Sequence, residues 1–67
     1  FDKFCRHNDL TKREKVIVLH MLQGQTNQVY AYLLYITLGT VKTHLHNIYK
    51  KTFATNRSQL IEMIREL

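Results

Sequence analysis

Thr37-Leu38-Gly39-Thr40-Val41-Lys42-Thr43-His44-Leu45-His46-Asn47-Ile48-Tyr49-Lys50-Lys51 is the stretch that decides how this chain folds. It reads as one helix with two opposed faces. An α-helix turns by about 100° per residue. On that wheel Val41, Leu45, Ile48 and Thr52 fall in one narrow sector. Lys42, Thr43, His46 and Lys50 fall in the opposite one. The first sector can pack on a small core. The second is then presented as a ridge about one helix wide, which is what a B-DNA major groove admits.

Three more helices flank this one. Thr11-Lys12-Arg13-Glu14 spells a capping box, with Leu10 in the staple position before it. Ile17, Val18, Met21 and Leu22 recur at helical spacing, and Gly24 supplies the left-handed residue that ends such a helix. Thr26 or Asn27 caps a short second helix, with Tyr30, Ala31 and Leu34 as its core positions. A turn through Tyr35, Ile36 and Thr37 leads into the quoted helix. Asn56-Arg57-Ser58-Gln59 looks like another capping box and opens the last helix. Its apolar positions are Leu60, Ile61, Met63, Ile64 and Leu67. The chain is therefore expected to be all-α, a compact four-helix bundle with helices over residues 11–23, 27–35, 37–52 and 56–67. Residues 1–9 show no periodicity and are expected to form an arm or the end of a linker.

The composition agrees. Sixty-seven residues make one small domain, and the absence of Pro leaves nothing to break a helix. A lone Cys5 excludes an internal disulfide and fits a reducing compartment. No apolar run is long enough for a membrane span, and no secretory signal is visible. The first residue is Phe1, as expected of a piece of something longer. The net charge is +5, and the five acids (Asp2, Asp9, Glu14, Glu62 and Glu66) all lie near the ends. From Lys15 through Ile61 there is no carboxylate. A polyanion can approach that centre without like-charge repulsion.

The ridge residues suit base edges and phosphates. Lys42 can donate to guanine O6 and N7, Thr43 offers a hydroxyl and a methyl, and His46 lies one turn beyond Lys42. Lys50 and Lys51 suit phosphates. Gly39 and Thr40 sit in the first turn, where free amides attract phosphate. The same reasoning marks Thr26 and Asn27 at one helix start and Arg57 at another.

Leu10-Thr11-x-Arg13-Glu14, Gln23-Gly24, Asn27, Ala31, Leu34, Gly39-Thr40-Val41-Lys42-Thr43-His44, Ile48, Lys51 and Arg57-x-x-Leu60 together resemble the LuxR-type (GerE-like) helix-turn-helix domain. The resemblance covers residues 10–64 without a gap. It implies the DNA-binding domain of a bacterial transcription regulator, with the third helix in the major groove of double-stranded DNA. Carried over by position, Lys42, Thr43 and His46 face bases. Thr26, Asn27, Thr40, Lys50 and Arg57 meet phosphates. The last helix, through Ile61, Met63 and Arg65, is expected to form a homodimer contact, because one monomer presents too few contacts for tight specific binding. An N-terminal receiver or sensor domain and RNA polymerase are the further partners implied. The expected location is the bacterial cytoplasm, on the nucleoid.

The chain departs from that pattern in its scaffold. The family usually has Glu at positions 16, 29 and 33 and a polar residue at 19 and 32. Here these are Val16, Val29, Leu33, Leu19 and Tyr32. The second helix therefore loses the Glu of its capping box. Phe53 stands where the family has Gly after the third helix, so a left-handed backbone there would be strained. Val16, Leu19, Tyr32 and Leu33 are expected to form a protein-contact surface or to be part-buried.

Other chemistries find little support. His44 and His46 are two apart on a helix, point about 200° apart, and cannot share an ion. Cys5 and His7 lack a closing pair at zinc spacing. There is no Gly-rich phosphate loop, no paired carboxylates on one face and no nucleophile–base pair, so neither an enzyme nor a cofactor site is expected. The aromatic residues are not arranged as a stacking platform for single strands, and most are expected in the core. The alternative function is a helix-turn-helix module turned mainly to protein contact, as an anti-regulator or a sigma-factor-like unit.

Overall fold

Helix starts organise this chain, because four of the five carry a side chain that accepts from a first-turn amide. The computed structural model describes residues 1–66. It contains α1 (Asp2–His7), α2 (Lys12–Leu22), α3 (Asn27–Leu34), α4 (Leu38–Thr52) and α5 (Arg57–Arg65). Leu67, assigned above to the last helix, lies outside the described residues.

At α2 the capping box is complete. Thr11 Oγ1 accepts from the Glu14 amide at 3.1 Å, and Glu14 Oε1 accepts from the Thr11 amide at 2.9 Å. Gly24, past the end of α2, takes φ +80°. Thr26 caps α3 through the Val29 amide at 3.4 Å. Nothing reaches back, because Val29 has no acceptor. Thr37 caps α4 through the Thr40 amide at 3.1 Å. Asn56 caps α5 through the Gln59 amide at 2.8 Å. The second half of that expected box is different. Gln59 Oε1 accepts from the Thr55 amide and hydroxyl, at 2.5 and 2.8 Å, one residue before the cap.

The inward sector of α4 is the one read from the wheel: Val41, Leu45, Ile48 and Thr52 are all buried. They pack with Ile17, Val18 and Met21 of α2, Tyr30 of α3 and Leu60 of α5 into one core. Ile48 is fully buried, and truncating such a side chain costs about 2–5 kcal/mol. α4 packs against both α2 and α3, while α5 closes on α2. The orientation of α4 is thus fixed from two sides.

Three expectations need correction. Residues 1–9 are not an irregular arm: Asp2–His7 form α1, with Phe4 and Cys5 buried in the common core. Six residues are too few for a hydrophobic period, so only tertiary packing reveals this helix. The aromatic residues do not mostly pack. Phe4 and Tyr30 are buried and Tyr49 half-buried, but Tyr32, Tyr35 and Phe53 are 81%, 95% and 87% exposed. Finally, two helices end on aromatic residues in the left-handed conformation, Tyr35 at φ 56° and Phe53 at φ 65°. The strain expected at Phe53 is present, and Tyr35 shares it. Each costs on the order of 1 kcal/mol.

Candidate nucleic-acid interface

The outer face of α4 is assembled by the same packing that buries its inner face. Lys42, Thr43, His46, Asn47 and Lys50 are all exposed along it. Asn47 was missed in the sequence reading. It lies about 40° from Thr43 on the wheel, so periodicity alone could have added it. Thr43 Oγ1 donates to the Gly39 carbonyl at 3.1 Å, which leaves its oxygen free to accept from outside. Among the described residues Lys42 and Lys50 have no carboxylate partner.

Gly39 gains its interest from what does not surround it. A Cβ there would meet only Thr37 Oγ1, at 3.8 Å, an ordinary contact. Nothing inside the chain requires a glycine at this point of the exposed first turn. Thr40 is bound into the cap, its hydroxyl 2.9 Å from that of Thr37. Thr26 is exposed with its hydroxyl engaged as the α3 cap, and Asn27 beside it is half-buried.

Two cations marked for phosphate are committed inside the chain. Lys51 is turned back: its Nζ lies 2.7 Å from Glu14 Oε1 and donates to the Asp9 carbonyl at 3.0 Å. This corrects the reading of Lys51 as a second phosphate cation beside Lys50. It clamps the end of α4 to the start of α2. Burial alone would raise the Glu14 carboxyl. The Lys51 ammonium and the Thr11 amide and hydroxyl outweigh that and hold it below the ordinary carboxylate value. Arg57 is half-buried. Its guanidinium donates to the Gln25 carbonyl and lies 5.8 Å from the Tyr30 ring centre. On the other side of Gln25, its Oε1 is 2.5 Å from His20 Nδ1, and His20 stacks on Tyr30. The start of α5, the end of α2 and the entry to α3 therefore meet in one network. Neither tie was visible in the sequence, since both join residues more than thirty apart.

On α5, Ser58, Ile61, Glu62 and Arg65 line a shallow groove. Their three- and four-residue spacing puts them on one face. Met63 does not join Ile61 there. It points about 200° away and is half-buried against the core.

A short α3, a three-residue turn and a long α4 with an exposed polar ridge define a helix-turn-helix domain. The comparisons narrow the class. The model of the family described as bacterial regulatory proteins, luxR family, matches residues 8–64, and the chain belongs to that family. It is 46% identical over 52 residues to the monoamine regulon transcriptional regulator of Klebsiella aerogenes, covering 78% of this chain and 23% of that protein. It is 43% identical over 53 residues to the transcriptional regulatory protein LiaR of Bacillus subtilis, covering 79% and 25%. Against the response regulator protein VraR of Staphylococcus aureus the identity is 42% over 52 residues, covering 78% and 25%. The chain thus spans about a quarter of the length of these curated relatives. No solved structure matches significantly.

Proposed function

We propose that this domain binds double-stranded DNA in a sequence-dependent way, with α4 in the major groove. One observation carries the reading. The exposed ridge Lys42–Thr43–His46–Lys50 bears two lysines without carboxylate partners, on a helix held from behind by two others. Lys42, Thr43 and His46 face base edges. Lys50, Thr40 and the α3 start at Thr26 and Asn27 meet phosphates, where first-turn amides add their partial positive charge. Asn47 joins the ridge as a polar contact. Arg57 stands at the α5 start and reaches phosphate only by leaving the Gln25 carbonyl.

One domain supplies few base contacts, so two copies bind two half-sites. Ile61 and Arg65 on the open face of α5 form the dimer contact, with Met63 supporting that helix from the core side. Relatives named as response regulators and transcriptional regulators favour a larger protein in which a receiver or sensor domain controls this one. Such a protein acts on transcription with RNA polymerase, in the bacterial cytoplasm.

Titrating duplex DNA at several salt concentrations tests the reading. Binding should weaken steeply as salt rises. Lys42→Ala and His46→Ala should each cost about 1–3 kcal/mol on a selected site and far less on random duplex. Equal, weak binding of all sequences by the parent chain and both variants would defeat it.

A further inference from the structure

α3 is apolar on both sides. Tyr30 is buried in the core, and Ala31 and Leu34 pack against it. Val29, Tyr32 and Leu33 share the opposite stripe and are 36%, 81% and 43% exposed. A helix that is hydrophobic all round is normally covered all round. The stretch around it is also without charge: from Val16 through Val41 there is no Asp, Glu, Lys or Arg. Leu19, Tyr35 and Leu38 are further exposed apolar residues of that stretch. Tyr35 adds an independent sign. It holds a left-handed backbone while its side chain lies almost wholly in solvent, so packing within the chain does not offset the strain.

We infer that the outer face of α3 is a self-association surface, and that its occupant is a second copy of this chain related by a two-fold axis. Charge selects that occupant. Each copy carries +5, so most approaches between copies are repulsive, and the charge-free face is where repulsion is least. A two-fold contact sets the same patch against itself. An uncharged apolar stripe satisfies that condition, whereas a stripe of one charge sign does not. A partner of another kind is usually steered by complementary charge, and this stripe offers none.

Size sets the strength. A stable interface buries about 800 Å² per partner, more than the stripe of an eight-residue helix presents. The association is therefore weak and concentration-dependent. It shares no residue with the α5 groove or the α4 ridge, so it adds to pairing through α5. It does not depend on the DNA reading.

Sedimentation equilibrium of the 67-residue chain, from about 10 μM to about 1 mM, tests the proposal in this weak-interface regime. The apparent mass should climb above the 8.0 kDa monomer. Tyr32→Glu with Leu33→Glu should hold it at the monomer value with helix content unchanged. Disulfide trapping of Tyr32→Cys keeps the question decidable if that double variant does not fold, since Cys5 is buried and does not compete. A linked dimer should form faster from Tyr32→Cys than from the control Glu62→Cys on α5. A parent chain that stays monomeric throughout would overturn the inference. So would association that survives the α3 substitutions, association abolished by Ile61→Glu alone, or trapping at position 32 no faster than at the control.

Discussion

α3 and α4 are consecutive helices packed on one core, yet their outer faces have opposite chemistry. α4 turns outward Lys42, Thr43, His46, Asn47 and Lys50, while α3 turns outward Val29, Tyr32 and Leu33. Both inner faces are ordinary apolar sectors, so burial does not distinguish the helices. The difference is confined to atoms that contribute little to folding. It therefore separates what the fold requires from what a partner requires. One face is built for a polyanion and the other for an apolar surface.

The strongest way to break this contrast is to reverse charge on one face and introduce it on the other. Lys42→Glu with Lys50→Glu should weaken binding to a selected duplex by about two orders of magnitude or more, measured by fluorescence anisotropy. Tyr32→Glu should leave single-copy binding within about threefold. A comparable loss from the α3 substitution would place DNA on the wrong helix.

Lys50 and Lys51 sharpen the contrast within α4 itself. They are neighbours in sequence, but only Lys50 stands on the ridge. Lys51→Ala leaves the Glu14 carboxylate buried with no ammonium beside it. Losing the partner of a fully buried charge costs about 3–5 kcal/mol. The Lys51 side chain is 32% exposed, which reduces the expected loss to about 2 kcal/mol. Thermal unfolding should show Tm lower by roughly 10 °C. Lys50→Ala should leave Tm in place and reduce the salt slope of DNA binding by about one ion. If the two variants exchanged these effects, the clamp would be wrong.

The clamp also predicts a pH dependence. The Glu14 carboxyl titrates below its ordinary value of 4.5 when folded. Its contribution is therefore fully present above that pH and is lost as pH falls through the folded value. Glu14→Gln keeps an acceptor for the Thr11 amide but removes the charge. Urea unfolding at several pH values should show the variant less stable than the parent near neutrality, with the gap closing below about pH 4. A gap that stayed constant across that range would mean the carboxylate adds nothing beyond its hydrogen bond.

Much of the frame is legible in the sequence because it is local. Thr11, Thr26, Thr37 and Asn56 cap their helices within three residues, and the α4 sectors follow from a fixed angle per residue. The pieces that escaped are non-local or too short. α1 has no period to detect. Lys51 and Arg57 look like free cations until Glu14 and Gln25 are brought to them from more than thirty residues away. The ridge is legible for the same reason as the caps, yet which of its lysines remain available was decided by tertiary structure. The exposure of Tyr32, Tyr35 and Phe53 was also illegible, since composition places aromatic residues inside.

Those last two residues give the smallest effect. Tyr35 and Phe53 end α3 and α4 in the same left-handed conformation, and both side chains are almost entirely exposed. Replacing either by Gly removes the clash of Cβ with the backbone and forfeits almost no packing. The added freedom of Gly in the unfolded chain offsets part of that gain. Each substitution should therefore stabilise the chain by up to about 1 kcal/mol, seen as a rise in Tm of at most about 4–8 °C. Tyr35 belongs to the charge-free stretch, so Tyr35→Gly should also weaken self-association while making the monomer more stable. A stabilised chain that associates as before would mean that Tyr35 bears its strain for something other than the second copy. A destabilised one would mean that its ring packs more tightly than 95% exposure allows.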